Sequence, residues 1–351
     1  MITELQSERK HTAIHHTKLS LKQGVDMEKL IGTPHLFCRY CETREGFIIV
    51  PIGNMTLQPD GRVTGYSHPN EGYWKSYEYG TVDSDKGFAF VGAGNRFIPS
   101  STWQQTFAEM PIGFYCGDPE LPQKLCLVPN AQTYNDAEIV YVIATCLRFY
   151  EKTIPKLLKD LFAEGIEPAR IKVVVNGSKK DEDKIINGVS YAFTKHDSFE
   201  LSALYEAPLR WQFDYAMLIH DTNNIYPGFR RRVENFNHHL QWDYLPSTPM
   251  ARCLLGLYAH DFLLRTNAWL GKMDKIDKGG AIITEVAGEF LHRAKTVLVM
   301  SDPETNEGAR QTEWREVADF YNAGTPRVRR VFPAINLHKF THIDTSDGLS
   351  L

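Results

Sequence analysis

A chain of 351 residues with 42% hydrophobic and 23% charged residues has the composition of an ordinary globular protein, long enough for two or three domains and a sizeable core. Its formal net charge of -4 supplies no global basic field for nucleic acid, and no apolar run approaches a membrane span. Six cysteines in a chain this long do not form a disulfide framework, and the opening MITELQSERKHTAIHH is too polar for a signal peptide, so the expectation is a cytoplasmic protein with reduced thiols and no transmembrane segment.

Residues 1–33 show no apolar period and read as a lead segment, in which His11, His15 and His16 belong to a solvated stretch. From 34 to 130 the texture changes to short runs rich in Phe, Tyr, Trp, Ile and Val, broken by turn formers such as Pro59-Asp60-Gly61 and Ser67-His68-Pro69-Asn70-Glu71-Gly72. Turn signals at that spacing, with no helical period between them, predict a small antiparallel β module. Cys38 and Cys41 are weighed as half of a zinc site with Cys116 and Cys126, against which the second pair lacks the close spacing of a zinc knuckle. Gly92-Ala93-Gly94 reads as a hairpin turn, since Pro99 follows closely and no crossover helix does. Tyr73, Trp74, Tyr77 and Tyr79 form either an aromatic platform for sugar rings or a β core with a tyrosine rim.

Residues 131–351 predict an α/β domain with a mainly parallel sheet flanked by helices. Ile139 to Cys146 is an apolar run of strand length, and Ile154, Leu157, Leu158, Leu161 and Phe162 then recur at helical spacing as far as Gly165. A strand at 171–178, a charged excursion through Lys179 to Lys184, a strand at 189–196 and an amphipathic helix to Trp211 follow. Tyr215 to Ile219 is again apolar and ends in His220-Asp221-Thr222-Asn223, a polar cluster at the carboxyl end of a buried strand, which is where open α/β sheets bind ligands. Beyond it the pattern predicts a strand or buried turn followed by a helix at 250–273, with Asp261 as a helix cap, then a helix reaching about Asn322. A basic extended stretch follows, in which Arg327, Arg329 and Arg330, together with His338, read either as plain surface charge or as cations that could close over a diphosphate.

Two resemblances arise from these residues. GYSHPNEGYWKSYEYG at 65–80, followed by KGFAFVGAGNRFIPSSTWQ, is similar to small β modules found beside bacterial and viral glycan-synthesising transferases. The α/β half resembles the GT-A fold of nucleotide-sugar glycosyltransferases, in which a later strand ends in an Asp-x-Asp tripeptide whose carboxylate holds a divalent metal on the sugar diphosphate.

The second resemblance implies a glycosyltransferase that moves a sugar from a nucleotide-sugar donor to a hydroxyl of a glycan or glycoconjugate. Asp221 would then hold Mn²⁺ or Mg²⁺, a hard cation shared with the diphosphate, with His220 and Thr222 beside it. The tripeptide here is His220-Asp221-Thr222, with one carboxylate where the family pattern has two. Thr145, Cys146 and Arg148 would flank the nucleotide and Asn176 would lie near its base or ribose, while Arg230, Arg231 and Arg232 stand near enough in sequence to meet the diphosphate or to form a solvated helix face. Glu285, Glu289, Asp302 and Glu304 are the candidates for the base that takes the proton of the acceptor hydroxyl, and sequence order does not choose among them. Two alternatives stay open: a nucleotidyltransferase, against which the turn after Cys146 has no glycine-rich phosphate loop, and a noncatalytic carbohydrate-binding or assembly protein on a degenerate transferase fold.

Overall fold

Aromatic and β-branched runs separated by glycine- and proline-bearing turns give, among the described residues of the first half, β1 (Pro34–Glu42), β2 (Phe47–Leu57), β3 (Val63–Thr64), β4 (Trp74–Glu78), β5 (Lys86–Phe90), β6 (Arg96–Pro99), β7 (Tyr115–Gly117) and β8 (Leu125–Pro129). The computed structural model describes residues 30–44, 46–78, 86–93, 96–99, 115–117, 125–129, 137–236, 242–247, 254–274, 286, 288–290, 292–300, 314–317 and 327–342. β1 pairs antiparallel with β2 and β8, and the sheet continues through β7, β6 and β5 to β4. The expected antiparallel pairing is therefore present. Phe37, Phe88, Phe90 and Phe97 pack edge to face and stacked around Leu127, and these contacts rather than local propensity hold the short strands together.

Trp74 does not face solvent as a platform residue would. Trp74 joins this apolar cluster and donates its indole N–H to the carbonyl of Gln58 at 2.9 Å, while Tyr73 stays exposed. Tyr77 is half-buried, and Tyr79 lies outside the described residues. The zinc reading fares similarly, because Cys38 is buried and Cys41, three residues further along the same strand, is exposed, so the two thiols leave β1 on opposite faces.

In the second half, β9 (Ile139–Cys146), α1 (Tyr150–Ala163), β10 (Ile171–Asn176), β11 (Glu182–Ile186), β12 (Val189–Phe193), α2 (Glu200–Arg210), β13 (Tyr215–His220), β14 (Asn223–Ile225) and α3 (Phe229–Asn235) follow in order. Next come β15 (Tyr244–Pro246), β16 (Gly256–Ala259), α4 (His260–Leu270), β17 (Thr296–Leu298), β18 (Trp314–Val317), β19 (Arg327–Phe332) and β20 (Leu337–His342). β12, β10, β9 and β13 are neighbours and all parallel. β9 reads as an unbroken apolar run because it is covered on both sides: Ile139, Tyr141 and Ile143 meet Ile154, Leu157 and Leu161 of α1, and Val140, Val142 and Ala144 meet Leu201, Leu204 and Ala207 of α2. Gly165, at φ +73, ends the first crossover in a left-handed conformation that glycine adopts without strain.

The parallel unit then runs into a reversed strand: β16 is antiparallel to both β13 and β15, and β17 returns parallel to β15. β17 also pairs parallel with β2, so the two halves share one sixteen-stranded sheet. Tyr40, Ile49 and Val128 accordingly lie in the same apolar cluster as Ile139, Met217 and Trp242.

Three elements differ from the sequence pattern. The charged excursion becomes β11, an antiparallel edge strand on β12, whose half-buried Glu182 and exposed Asp183 and Lys184 gave no apolar alternation to read. Trp314–Val317, expected in a helix, is a strand paired with β19, and the rest of that helix lies outside the described residues. Pairing with a distant strand overrides local propensity here. Asp261 sits exposed in the first turn of α4, whose cap is Ala259.

Candidate functional site

From β9 the chain steps to β10 and β12 on one side, then crosses back to place β13 on the other. The order thus reverses between β9 and β13, and the crevice outside the carboxyl ends of strands at such a point is where open α/β sheets bind ligands. Thr145 and Cys146 end β9, Asn176 ends β10, and His220 ends β13 with Asp221 directly after it. The fold therefore brings five of the residues singled out by sequence to one edge.

Asp221 is seated between strand and helix. Its backbone N–H donates to the carbonyl of Ala144 at 3.1 Å, and its Oδ2 accepts from the hydroxyls of Thr145 at 2.7 Å and Thr153 at 3.0 Å. Thr153, on the first turns of α1, also stands 3.1 Å from the carbonyl of Phe149, and its single proton serves one acceptor at a time. The backbone N–H of His220 donates to Asn223 Oδ1 at 2.6 Å, which shapes the turn through Asp221 and Thr222 into β14.

Two neighbouring amides hold unused capacity. Asn176 donates through Nδ2 to the carbonyl of Phe199 at 3.1 Å, while its Oδ1 is buried with no protein partner. Asn223 Nδ2 is buried without one as well. Buried polar atoms in native folds are normally satisfied, so such atoms beside a crevice are places for a ligand or water to bond. Ser247, just past β15 and hence at the same edge, is a third: it is 4% exposed and its Oγ has no protein partner. Cys146 stands opposite Asn176 in the parallel register, half-exposed. Arg148 projects from the turn after β9 with its guanidinium 5.1 Å over the Phe149 ring, and Leu147 beside it is 44% exposed.

The turn after Asp221 is also where β20 docks. β14 pairs with β20, Asn223 opposite Lys339 and Asn224 opposite His338, and β20, β19 and β18 continue a separate four-stranded sheet. Lys156 of α1 braces the junction with bonds to Asn224 Oδ1 at 2.6 Å and Asp160 Oδ2 at 2.8 Å.

Other residues from the sequence pattern fall elsewhere. Glu289 lies before β17, at the amino edge of the sheet, bound to Arg44 at 2.8 Å and Arg293 at 2.9 Å. Burial raises its carboxyl, and the two guanidinium groups outweigh that effect and hold it below the usual carboxylate range. It is not brought to Asp221. Glu285, Asp302 and Glu304 lie outside the described residues. Arg230 is held by Glu234 at 3.0 Å and by the carbonyl of Gly165 at 2.7 Å, at the far end of α1 from Asp221.

Asn223 belongs to the polar cluster already legible in sequence, whereas Thr153 and Ser247 were not legible as site residues, because nothing local marks a helix threonine or a lone serine whose importance comes from a strand far away in sequence. Among the described residues no group of three or more His, Cys, Asp and Glu side chains stands ready as a metal cage. Asp221 is the carboxylate at this edge that could serve as one oxygen ligand of a hard cation. No protein-family model matches the chain, and a comparison with curated proteins gives no match.

Proposed function

We propose that the chain is a glycosyltransferase with a GT-A-like carboxyl-terminal domain and an accessory β module, transferring a sugar from a nucleotide-sugar donor to a hydroxyl of a glycan or glycoconjugate. The observation that carries this reading is the position of Asp221. An acidic residue directly follows the strand at the point where the order β12-β10-β9-β13 reverses, and unsatisfied amide atoms of Asn176 and Asn223 sit along the same edge. The parallel unit followed by the reversed strand β16 supports a GT-A-like architecture, which is an argument by analogy of fold.

In this reading the nucleotide lies across the ends of β10 and β9, with Asn176 as an acceptor toward base or ribose and Thr145, Cys146 and Arg148 around it. Asp221 faces the diphosphate, with His220 and Thr222 in the same turn. Mn²⁺ or Mg²⁺ shared between the Asp221 carboxylate and the diphosphate would stabilise the charge that develops as the diphosphate leaves. Arg148 offers a fork that suits phosphate oxygens.

Thermal unfolding with a panel of nucleotides and nucleotide sugars, with and without Mn²⁺, tests the proposal. Stabilisation by nucleoside diphosphates, lost in Asp221→Ala, is expected; at a hundredfold excess over Kd it amounts to about 2.7 kcal/mol. Stabilisation by nucleoside triphosphates alone would point to a nucleotidyltransferase. One observation favours a noncatalytic carbohydrate-binding protein: Oδ2 of Asp221 is already loaded with two hydroxyl donors. Silence toward every nucleotide, with a shift from free glycans, would select that reading.

A further inference from the structure

Among the described residues, those other than glycine with a left-handed φ are Asn187, Phe199, Leu254 and Asn336. Asparagine tolerates that region because its short polar side chain bonds locally, whereas a bulky side chain there is strained. The two bulky residues share a location. Phe199 lies between β12 and α2, and Leu254 stands two residues before the reversed strand β16, so both fall at the edge of the sheet that holds Asp221. Strained backbone of this kind persists where surrounding contacts over-determine it, and it gathers at functional sites.

Phe199 has φ 50 and ψ -130, the angles of the first central residue of a type II′ turn, which glycine usually supplies. The N–H of Leu201 closes the turn by donating to the carbonyl of Ser198 at 3.0 Å. Two elements hold it in place. From α2, the Ser202 hydroxyl accepts the N–H of Ser198 at 2.8 Å and shares its own proton between Nδ1 of His196 at 2.9 Å and the His196 carbonyl at 3.1 Å. From the end of α4, the carbonyl of Leu270 faces Nε2 of the same ring at 3.3 Å, the carbonyl of Met273 accepts from the Ser198 hydroxyl, and Asp274 Oδ1 accepts the N–H of Asp197 at 2.8 Å. Ser198 and Ser202 are buried, so water does not compete for these bonds.

The clamp aims one carbonyl at β10. The oxygen of Phe199 accepts from the N–H of Ser202 at 3.1 Å and from Nδ2 of Asn176 at 3.1 Å, which uses both of its lone pairs. A carbonyl cannot donate, so the amide nitrogen of Asn176 has to face it, and Oδ1 of this buried side chain is left without a protein partner. With that carbonyl turned away, the amide would be free to rotate and offer N–H instead.

We propose that Phe199 is a positioning residue of the candidate site: its carbonyl fixes the Asn176 amide so that the end of β10 presents an acceptor and selects a ligand group that donates. The inference rests on the transferase reading for the identity of that ligand, a nucleoside diphosphate whose base N–H or ribose O–H bonds Oδ1. Phe199 acts through its backbone and through Asn176, so the aromatic ring is not the element under selection.

The test uses the full chain and calorimetric titration with the diphosphates of uridine, guanosine, adenosine and cytidine in the presence of Mn²⁺. Phe199→Val, whose branched side chain opposes a positive φ, should weaken the best-bound diphosphate at least about tenfold. Phe199→Gly takes the same angles without strain and should restore affinity to within about threefold of the unaltered chain. Asn176→Ala should weaken binding as much as Phe199→Val does, and the double variant should add less than about twofold, because both changes remove one interaction. A purely structural Phe199 would lower the urea midpoint and leave these affinities unchanged. Unchanged affinity in the valine variant, additive losses in the double variant, or a loss in the glycine variant as large as in the valine variant would overturn the proposal. The contact is also read without ligand: in ¹⁵N-labelled protein the Nδ2 protons of Asn176 should exchange slowly in the unaltered and glycine chains and faster in the valine chain. Should Phe199→Val fail to fold, the glycine variant decides alone, retained affinity and protection supporting the proposal and their loss overturning it. If the unaltered chain binds none of the diphosphates while the exchange pattern holds, the transferase reading fails and the positioning of Asn176 stands. Rapid exchange of this amide in the unaltered chain overturns the positioning whatever the nucleotides do.

Discussion

Thr145 and Thr153 direct hydroxyls at the same oxygen of Asp221, at 2.7 and 3.0 Å, so that oxygen carries donors before any ligand arrives. Hydrogen bonds to a charged group contribute about 1.5–3 kcal/mol, and Thr153→Val removes one of them while conserving shape, so a loss of about 1–2 kcal/mol in urea unfolding is expected. If Thr153→Val leaves stability unchanged, its hydroxyl belongs to the Phe149 carbonyl. Asp221→Asn keeps the size of the side chain and discards its charge, and should abolish any Mn²⁺-dependent part of nucleotide stabilisation in the thermal assay. His35 gives a prediction in pH. It is 3% exposed, and burial, outweighing its bond to the Thr33 carbonyl, lowers its pKa below the ordinary value of 6.5. The unfolded chain takes up this proton near 6.5 and the folded chain only at lower pH. The contribution of neutral His35 is therefore complete above 6.5 and is lost as pH falls through the folded value. Urea midpoints between about pH 7 and pH 5 should drop less steeply in His35→Gln than in the unaltered chain. Equal slopes would remove His35 from the account.

At the scale of elements, β16 carries a constraint that its neighbours impose. A Cβ on Gly256 would overlap the carbonyl of Leu245 and stand 2.9 Å from the Tyr244 ring, so the reversed strand lies against β15 with no room for a side chain. Gly256→Ala should cost about 1–3 kcal/mol, measured by chemical denaturation, as overpacking of a closed contact does. What was legible in the sequence follows the same logic of local against distant causes. β9, α1, β10, β12, α2 and β13 announce themselves because each one's burial is written in its own residues, as unbroken apolar runs or a stripe at helical spacing. β11 and β18 do not, since a charged edge strand and a four-residue strand owe their form to partners elsewhere in the chain. The site divides likewise: Asp221 stands out where an apolar strand stops, whereas Ser247 and Thr153 acquire significance only from the strand order. Trp74 was ambiguous because an aromatic residue in a β module reads the same whether it faces solvent or the Phe37 cluster.

At the scale of the whole molecule, the pairing of β17 with β2 and the apolar cluster common to both halves argue that they open together. Amide exchange of residues 38–40 in β1 and 140–143 in β9 should then report opening free energies within about 1 kcal/mol of each other. Exchange of β1 several kcal/mol more readily would mean that the first half unfolds alone. The junction is tight at Gly46, where an added Cβ would overlap the backbone of Lys295, so Gly46→Ala is expected to separate the two exchange values. The union of β14 with β20 bears on the order in which the molecule comes into being. As the chain leaves the ribosome, the turn holding Asp221 appears well before Leu337 to His342, and at about 5–20 residues per second the wait is on the order of ten seconds. Throughout that interval the nascent protein has its helices and parallel strands to fold, yet the edge of β14 has no strand beside it. Pairing at the edge of β14 is thus deferred until β20 has been made, and a chain stopped short of β20 would hold the Asp221 turn without the strand that braces it.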